Sequence, residues 1–420
     1  MFFHSIPLLF FTLMQAAVGF SQGADANAVG YEAAQRALEQ LGSAEPHLAL
    51  LFSSVRYHPH NVVAGARTAL RSDIPFAGAT TAGEIVSEGP LGHHSVVVAL
   101  LSLPGISIGV GVGENLSADS HSAGRQSAEA AVRAANAPAQ EVSAGLVFFD
   151  GLRGNGSAAV RGVEEVLGSQ ATIVGGAAGD DAAYQQTFQF GGSEVLTDAV
   201  VCAALSGDVA LGVGVNHGWS AVSGEHIVTK AEGSILREVD GKPAIALYED
   251  YLGRERVATM RGEVLARLAL SYPLGIVGER PGEEYLLRAP FFVNDDGSIV
   301  LGGAIQEGDR VVVMVGDKTS AIEAARRAGR RAKVALGGRE PRLILIFSCH
   351  VRDKLYLERT EGAKEVAAIR EELGDAPVAG FYTYGEIAPL PYVGVSEGVD
   401  VSKICRAEVH NETVVVCALG

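Results

Sequence analysis

Two hydrophobic periods take turns along this chain, and the alternation recurs. Three apolar runs of strand length, Leu48–Phe52, Leu146–Phe149 and Leu343–Phe347, each lead into a segment with helical spacing, over Val62–Leu70, Ser157–Leu167 and Gly362–Leu373. In the last, Gly362, Val366, Ile369 and Leu373 fall on one stripe, which predicts a helix with one buried face. A Gly-rich strand follows each time: Phe76-Ala-Gly-Ala-Thr-Thr-Ala-Gly-Glu84, Ile173-Val-Gly-Gly-Ala-Ala-Gly-Asp180 and Val378-Ala-Gly-Phe-Tyr-Thr-Tyr-Gly-Glu386. Its first glycine stands 26 residues past the strand Phe in two copies (Phe52 to Gly78, Phe149 to Gly175) and 33 in the third (Phe347 to Gly380). The strands Val96–Leu100, Val200–Leu205 and Val414–Leu419 close the copies. After the first two come Ile106–Val112 and Val209–Val215, with nearly the same Gly-Val-Gly-Val text. This pattern reads as a β-α-β-β unit used three times. One unit cannot bury its own apolar faces, so the copies must pack together. Gly78, Gly175 and Gly380 should occupy equivalent positions.

Different material separates the second and third copies. Trp219–Val239 reads as two strands turning at Glu232-Gly233, and Pro243, with Asp240 upstream, opens a helix Ala244–Leu252 that Gly253 ends. Leu286–Val293 turns at Asn294-Asp295-Asp296-Gly297 into Ser298–Leu301, a hairpin signal. Thr319–Leu336 carries Ile322, Ala325, Ala332 and Leu336 on one helix face. The fold class expected is α/β: two domains built from repeated β-α-β-β units, with mixed sheets flanked by helices. The boundary is expected near Trp219–Ser223. Residues 15–218 then hold two units, and 219–420 hold the hairpin and helical insert with the third.

The N-terminal run Ile6–Phe20 is long enough for the apolar core of a signal peptide, but no Lys or Arg precedes Arg36, whereas such signals start positive. Ala17–Ser21 reads instead as a buried strand. It runs into a helix capped by Asp25 or Asn27, with Val29, Ala33, Ala37 and Leu41 in step and Gly42 as the stop. A cytoplasmic protein is expected; residues 1–20 acting as a cleaved signal would make it an exported one.

Composition narrows the function classes. At roughly 150 residues per domain, 420 residues suit two to three domains. With 48% hydrophobic residues a large core can form, which excludes a disordered chain. Glycine, 52 residues, stands well above the usual ~7% and predicts many close backbone approaches. Lys and Arg number 33 against 49 Asp and Glu, for a net charge of −16, so nucleic-acid phosphates would be repelled and no nucleic-acid partner is expected. No membrane partner is expected either, since no apolar run outside the N-terminus reaches spanning length. Four cysteines, Cys202, Cys349, Cys405 and Cys417, form no Cys-x-x-Cys pair and make neither a disulfide framework nor a zinc ribbon.

The strongest candidate chemistry comes from the repeat. An Arg follows each first strand (Arg56, Arg153, Arg352), near a helix start, where a guanidinium and free N–H groups suit a carboxylate. The acidic end of the neighbouring Gly-rich strand offers acceptors to an amine. The third copy adds Tyr382, Thr383 and Tyr384, so the site expected is Arg352, Tyr382, Thr383, Tyr384, Glu386 and Cys349. The first copy's Arg56, Thr80, Thr81 and Glu84 form the fallback site. Each Arg pairing with the acidic strand-end residue of its own unit, and so holding the unit together, is the structural reading of the same residues. Cys349 beside His350 is a third option, a thiol enzyme, though neighbours on a strand point to opposite faces. Gly154-Asn-Gly156 lacks the third glycine of a dinucleotide fingerprint. His58, His60, His93 and His94 read as loop residues, with no metal set around them. Arg326, Arg327, Arg330, Arg331 and Lys333 read as a solvated helix face.

At Ala79-Thr-Thr-Ala-Gly-Glu-Ile85, Lys242–Gly253, Leu286-Leu-Arg-Ala-Pro290, Gly380–Pro389 and His410–Val416 the chain resembles the FIST sensory proteins, with their FIST N and FIST C domains. The resemblance runs from about Ala17 to the C-terminus. It implies a non-enzymatic module that binds a small molecule such as an amino acid and acts on a signalling protein: a histidine kinase, a cyclase or a chemoreceptor. No cofactor is expected on that reading. Some family members bind haem and sense nitric oxide, which makes a haem gas sensor the alternative, with His217 or His350 as axial ligand.

Overall fold

A computed structural model describes residues 14–70, 74–92, 94–258, 272–278, 285–356, 359–390 and 406–420. The apolar runs do form three repeated units, but each unit opens one strand earlier than they imply. The first comprises β1 (Gln15–Ser21), α1 (Ala26–Leu41), β2 (Leu48–Ser54), α2 (Pro59–Leu70), β3 (Phe76–Thr81), β4 (Glu84–Val86), β5 (Gly89–Gly92) and β6 (Val96–Ser102). The second repeats it as β7 (Ser107–Glu114), α3 (Ser120–Ala135), β8 (Val142–Phe149), α4 (Gly156–Leu167), β9 (Thr172–Ala177), β10 (Gln189–Gly192), β11 (Glu194–Leu196) and β12 (Ala199–Ser206). The third begins with β13 (Leu211–Asn216) and is then interrupted. The Gly-Val-Gly-Val segments are thus the opening strands of units two and three, not closing strands of one and two.

The interruption carries its own sheet: β14 (Ser220–Ala221), β15 (His226–Glu232), β16 (Ile235–Val239), β17 (Lys242–Pro243), β18 (Leu274–Ile276), β19 (Leu286–Arg288), β20 (Pro290–Val293), β21 (Ile299–Leu301) and β22 (Arg310–Val315). Pro243 lies in a short strand, and the helix expected from it starts at Ile245, running to Leu252 with Gly253 as its cap. The third unit resumes with the helix Lys318–Ala335, then β23 (Leu343–Cys349), the helices His350–Leu355 and Arg359–Leu373, β24 (Val378–Thr383), β25 (Glu386–Pro389), β26 (Ala407–His410) and β27 (Val414–Leu419). The segment Trp219–Ser223 is where the chain leaves β13 for the inserted sheet.

Three six-stranded sheets result, and each borrows from its neighbour. Their orders are β1-β6-β2-β3-β10-β11, β7-β12-β8-β9-β25-β26 and β13-β27-β23-β24-β4-β5. The first four strands of each belong to one unit, with the central pair parallel and the others antiparallel. The last two are a hairpin donated by another unit. Unit two gives β10–β11 to unit one, unit three gives β25–β26 to unit two, and unit one gives β4–β5 to unit three.

The inner faces of all three sheets share one core, where Phe381 meets Phe52, Phe148 and Phe347 at ring distances of 4.8, 6.2 and 5.5 Å. Each fully buried Phe contributes about 1.5–3 kcal/mol to folding. The helices cover the outer faces in separate clusters. The expected equivalence of the glycines is present: Leu51 pairs with Gly78, Val147 with Gly175 and Ile346 with Gly380. The aromatic partner needs correcting by one residue. Phe148, not Phe149, joins Phe52 and Phe347 in the shared core, while Phe149 packs on the helix side. The threefold relation extends to backbone detail. His94, Asp198 and Glu412, each two residues before the fourth strand begins its ladder with the central pair, have φ of 72°, 54° and 59°.

An Asp caps the helix after each opening strand: Asp25, Asp119 and Asp317 accept backbone N–H groups of the first turn. Those helices lie on glycine. A Cβ at Gly111 would sit 2.2 Å from Ser127 O and 2.2 Å from Ala131 N, both helix backbone that cannot step aside. Gly111→Ala should therefore cost about 1–3 kcal/mol or more. Gly224, where an added Cβ would meet nothing within 4 Å, should accept alanine almost neutrally. Urea unfolding of the two variants checks this, and equal midpoints would refute it. Met14 and the strand after it are placed, with Ala17, Val18 and Ser21 of β1 buried; residues 1–13, His93 and Cys405 lie outside the described residues. Among the described residues no helix is long and apolar enough to cross a membrane.

Candidate functional site

The sequence-derived site residues gather at the carboxyl ends of the parallel strands, but they divide into separate groups. Thr81 Oγ1 lies 2.5 Å from one carboxyl oxygen of Glu84, and Ser95 bonds the other. Thr383 Oγ1 lies 2.5 Å from Glu386, whose other oxygen takes the Thr413 hydroxyl at 2.7 Å and the Thr413 N–H at 3.1 Å. These two closed clusters occupy equivalent positions and hold the start of an exchanged hairpin. Thr80 is likewise taken up, bonding Phe188. The second unit has Ala178 where the others have Thr, and the residue that starts its exchanged hairpin, paired like Glu84 and Glu386, is Gln189; the expected Asp180 lies in the turn before it, next to Asp181. Asp181 accepts from Ser54 Oγ at 2.7 Å and pairs with half-exposed Arg56 at 3.7 Å.

Arg352 does not face Glu386 across a ligand space. It is fully buried, with Nε and Nη2 on Glu365 at 3.0 and 2.6 Å, Nη1 on the His217 carbonyl at 2.7 Å and Nη2 on the Ala321 carbonyl at 2.8 Å. Burial is the largest single influence and works against its charge, but Glu365 and the other neighbours together outweigh it and the guanidinium stays protonated. Arg352 is thus held in an ion pair inside its own unit, but with the helix residue Glu365 and not with the strand-end acid Glu386, while Arg56 pairs across units with Asp181. Tyr382 is buried, and Tyr384 donates to Asp180 and stacks on Tyr184 at 5.0 Å. Tyr184 belongs to a turn in which Asp181, Ala182 and Tyr184 all have positive φ. Cys349 is buried, and burial, then Glu386 and Glu412, push its thiol pKa well up. A thiol held protonated is a poor nucleophile.

The two carbonyls that hold Arg352 belong to the walls of an open cleft of about 700 Å³. One wall is the end of β13 and the segment after it, Asn216 to Ala221; the other is the first turns of the helix Lys318–Ala335, with Thr319, Ser320, Glu323 and Arg327. Tyr285 of the inserted sheet also lines it. The cleft exists because the insertion separates this opening strand from its helix, whereas β1 and β7 run into theirs within a few residues. Arg352 ties the walls together from behind and lies 5.8 Å from the Trp219 ring. Arg327 holds Asn216 Oδ1 at 3.2 Å, and Glu323 meets Arg326 at 3.3 Å. The rest of the arginine row is a paired face: Arg326 bonds Glu371, Arg330 bonds Glu372 at 2.8 Å, and Arg331 bonds the Val215 carbonyl. Only Arg327 of that row lines the cleft. Sequence reasoning placed His217 here as a haem ligand and missed Trp219, Glu323 and Arg327. The signal available was the interruption itself, just after an opening strand.

Haem requires a neutral imidazole with a nitrogen open to iron and the other donating a proton. His217 Nδ1 accepts the Trp219 N–H at 2.9 Å, so the proton of the neutral ring sits on Nε2. Burial, then Arg352, lower its pKa to about 3, which keeps it neutral. Iron at Nε2 would need an imidazolate, so His217 does not fit. His350 is buried with its ring against Tyr384 at 5.9 Å. Among the described residues no group of three or more His, Cys, Asp and Glu could hold a metal ion.

A family profile described as the FIST N domain matches residues 47–242, and one described as the FIST C domain matches residues 244–389. Uncharacterized protein Rv0628c of Mycobacterium tuberculosis is 29% identical over 225 residues, 52% of this chain and 56% of that protein. Uncharacterized protein MJ1623 of Methanocaldococcus jannaschii is 34% identical over 110 residues, 26% of this chain and 21% of that protein. The chain spans about half the length of the mycobacterial relative it matches. Among solved structures, cyanuric acid hydrolase from A. caulinodans overlays 97% of this chain and 99% of its own at a TM-score of 0.34 and 9% identity, too loose an overlay to carry an argument.

Proposed function

The chain belongs to the FIST family, with both of its domains, and from that premise we propose that it is a sensory protein whose cleft beside Trp219 binds a small zwitterion of the amino-acid class. FIST domains are associated with sensory signal transduction. One observation carries the choice of ligand. Glu323 and Arg327, four residues apart and so on one helix face, line the same cleft. A carboxylate suits Arg327 and the Nε2–H of His217, and an ammonium suits Glu323. Trp219 and Tyr285 supply apolar surface for a side chain. The partner on this reading is a histidine kinase, cyclase or chemoreceptor. Ligand that bridges Asn216 and Ala221 to the helix wall would reach it through the inserted sheet.

Trp219 is the one tryptophan of the sequence, so its fluorescence reports the cleft directly. Titration with each of the standard amino acids should give a saturable change for at least one. Losing one charge-assisted contact costs roughly 1.5–3 kcal/mol, so Arg327→Ala should weaken binding about ten- to a hundred-fold. Glu323→Gln should weaken the amino acid but not its desamino analogue. No saturable change with any amino acid, or equal binding by Arg327→Ala, would end this reading.

A further inference from the structure

Glu412 departs from the threefold pattern in a way the fold does not require. Its counterparts are accounted for: His94 is exposed, and the Asp198 carboxylate takes the Ser117 N–H at 2.7 Å and its hydroxyl at 2.6 Å. Glu412 has the same left-handed backbone but is fully buried, and neither carboxyl oxygen has a hydrogen-bond partner among the described residues. The inserted sheet closes this corner. Arg288 Nη1 bonds the Val409 carbonyl at 3.0 Å, and Asn411 bonds Ala289 N and the Gly302 carbonyl. A buried carboxyl without a partner costs on the order of 1–3 kcal/mol or more, and a left-handed non-glycine residue adds to that.

The neighbours not committed to other partners are acceptors or weak acids. The Cys349 N–H bonds the Thr413 carbonyl at 2.9 Å, which sets the Cys349 thiol beside the Glu412 turn. Thr413 in turn holds Glu386 by its N–H and hydroxyl. The Tyr248 hydroxyl is bonded to the Tyr272 carbonyl at 3.0 Å, and burial, then Glu412, push its pKa up. The two buried cations nearby are committed elsewhere: Arg352 to Glu365 and two carbonyls, Arg288 to the Ala304, Leu287 and Val409 carbonyls. A metal ion is disfavoured, because the described His, Cys, Asp and Glu residues form no set that could hold one. What complements such a corner is a compact group with several N–H donors and a positive charge.

We propose that Glu412, with Glu386 and Cys349 beside it, forms a second ligand site that takes the ammonium or guanidinium group of a small organic cation. It shares no lining residue with the cleft beside Trp219 and does not depend on the zwitterion reading. Calorimetric titration of the full chain with butylamine and with agmatine tests it, with butanol as the uncharged control. The expected result is binding of at least one cation and not of butanol. Glu412→Gln should weaken it at least tenfold, Glu412→Asp should weaken it less, and Arg327→Ala should leave it unchanged. Neither cation binding at millimolar concentration would overturn the proposal, as would equal affinity in Glu412→Gln. Circular dichroism checks that each variant folds. If Glu412→Gln does not, crystals of the unaltered protein soaked in butylamine decide: density bonded to Glu412 supports the site, and density elsewhere or none overturns it.

Discussion

Arg352→Ala is expected to lower the free energy of unfolding by roughly 3–5 kcal/mol, the usual cost of removing one partner from a buried ion pair. The loss has three parts. Glu365, 1% exposed, loses its cation and is left with neutral partners such as Ser348 Oγ at 3.3 Å. The His217 and Ala321 carbonyls lose their donors, and the stem of a large buried side chain leaves a cavity. Arg56 is the built-in control. It follows the first unit's strand as Arg352 follows the third's, but it is 48% exposed and 3.7 Å from Asp181, so Arg56→Ala should cost less than about 1 kcal/mol. Replacing both Arg352 and Glu365 by apolar residues should cost less than Arg352→Ala alone, since no buried charge is then left unpaired. Urea unfolding at neutral pH measures all three. A drop of under about 1 kcal/mol for Arg352→Ala would mean that the pair does not hold the cleft walls.

Stability is also expected to fall as pH rises from 6.5 to about 8, by roughly 2–3 kcal/mol from Glu84 and Glu386 alone. Burial pushes the pKa of Glu84 up to about 8 and that of Glu386 up to about 7, with hydroxyl hydrogen bonds pulling back in each case. Both titrate near about 4.3 when unfolded. Between those values the folded protein holds protons that the unfolded chain has released, so each group removes up to about 1.4 kcal/mol per pH unit as pH rises. Buried histidines act in the opposite direction. Burial lowers His217 to about 3 and His410 to about 4, against about 6.5 unfolded, so they remove stability as pH falls below 6.5. Above about 6.5 the histidines no longer act, and Glu412, whose pKa burial raises well above the usual carboxylate value, adds to the decline. Urea midpoints should decline from pH 6.5 to 8.5, and Glu84→Gln should flatten the decline. A midpoint that climbs from pH 6.5 to 8 would contradict the burial argument.

The repeat was legible because close backbone approach demands glycine at fixed places, and Gly78, Gly175 and Gly380 each pass over a neighbouring carbonyl. What the residue pattern could not resolve was Phe148-Phe149. Strand neighbours face opposite ways, and an adjacent pair of phenylalanines satisfies either register. The Arg352–Glu365 pair spans thirteen residues and a helix, so no local spacing announced it. The exchange of hairpins was invisible for a related reason. β4–β5 and β10–β11 are short segments whose partners lie in other units. The solvated reading of the arginine row fits Arg326 and Arg330, which pair with the helix Arg359–Leu373, and also the exposed Arg327, but it does not reveal that Arg327 lines the cleft opened beside it by the inserted sheet. The line drawn near Trp219 marks where that insertion starts, while the family profiles divide the chain between residues 242 and 244.

The circular exchange of hairpins has a consequence for the order in which the molecule can be assembled on the ribosome. β4–β5 docks on β24, so the hairpin ending at Gly92 must wait for Val378–Thr383, roughly 290 residues later. At ~5–20 residues per second that is about 15–60 s of synthesis during which the first unit has made a hairpin with nowhere to pair. The edge of β3 is filled sooner, once β10 emerges, but β9 waits for β25. A nascent chain stopped anywhere before Pro389 therefore carries open strand edges, the surface that chaperones cover and that aggregation recruits. Closure of the ring is a single late event, and native packing in the first unit is completed only by the last.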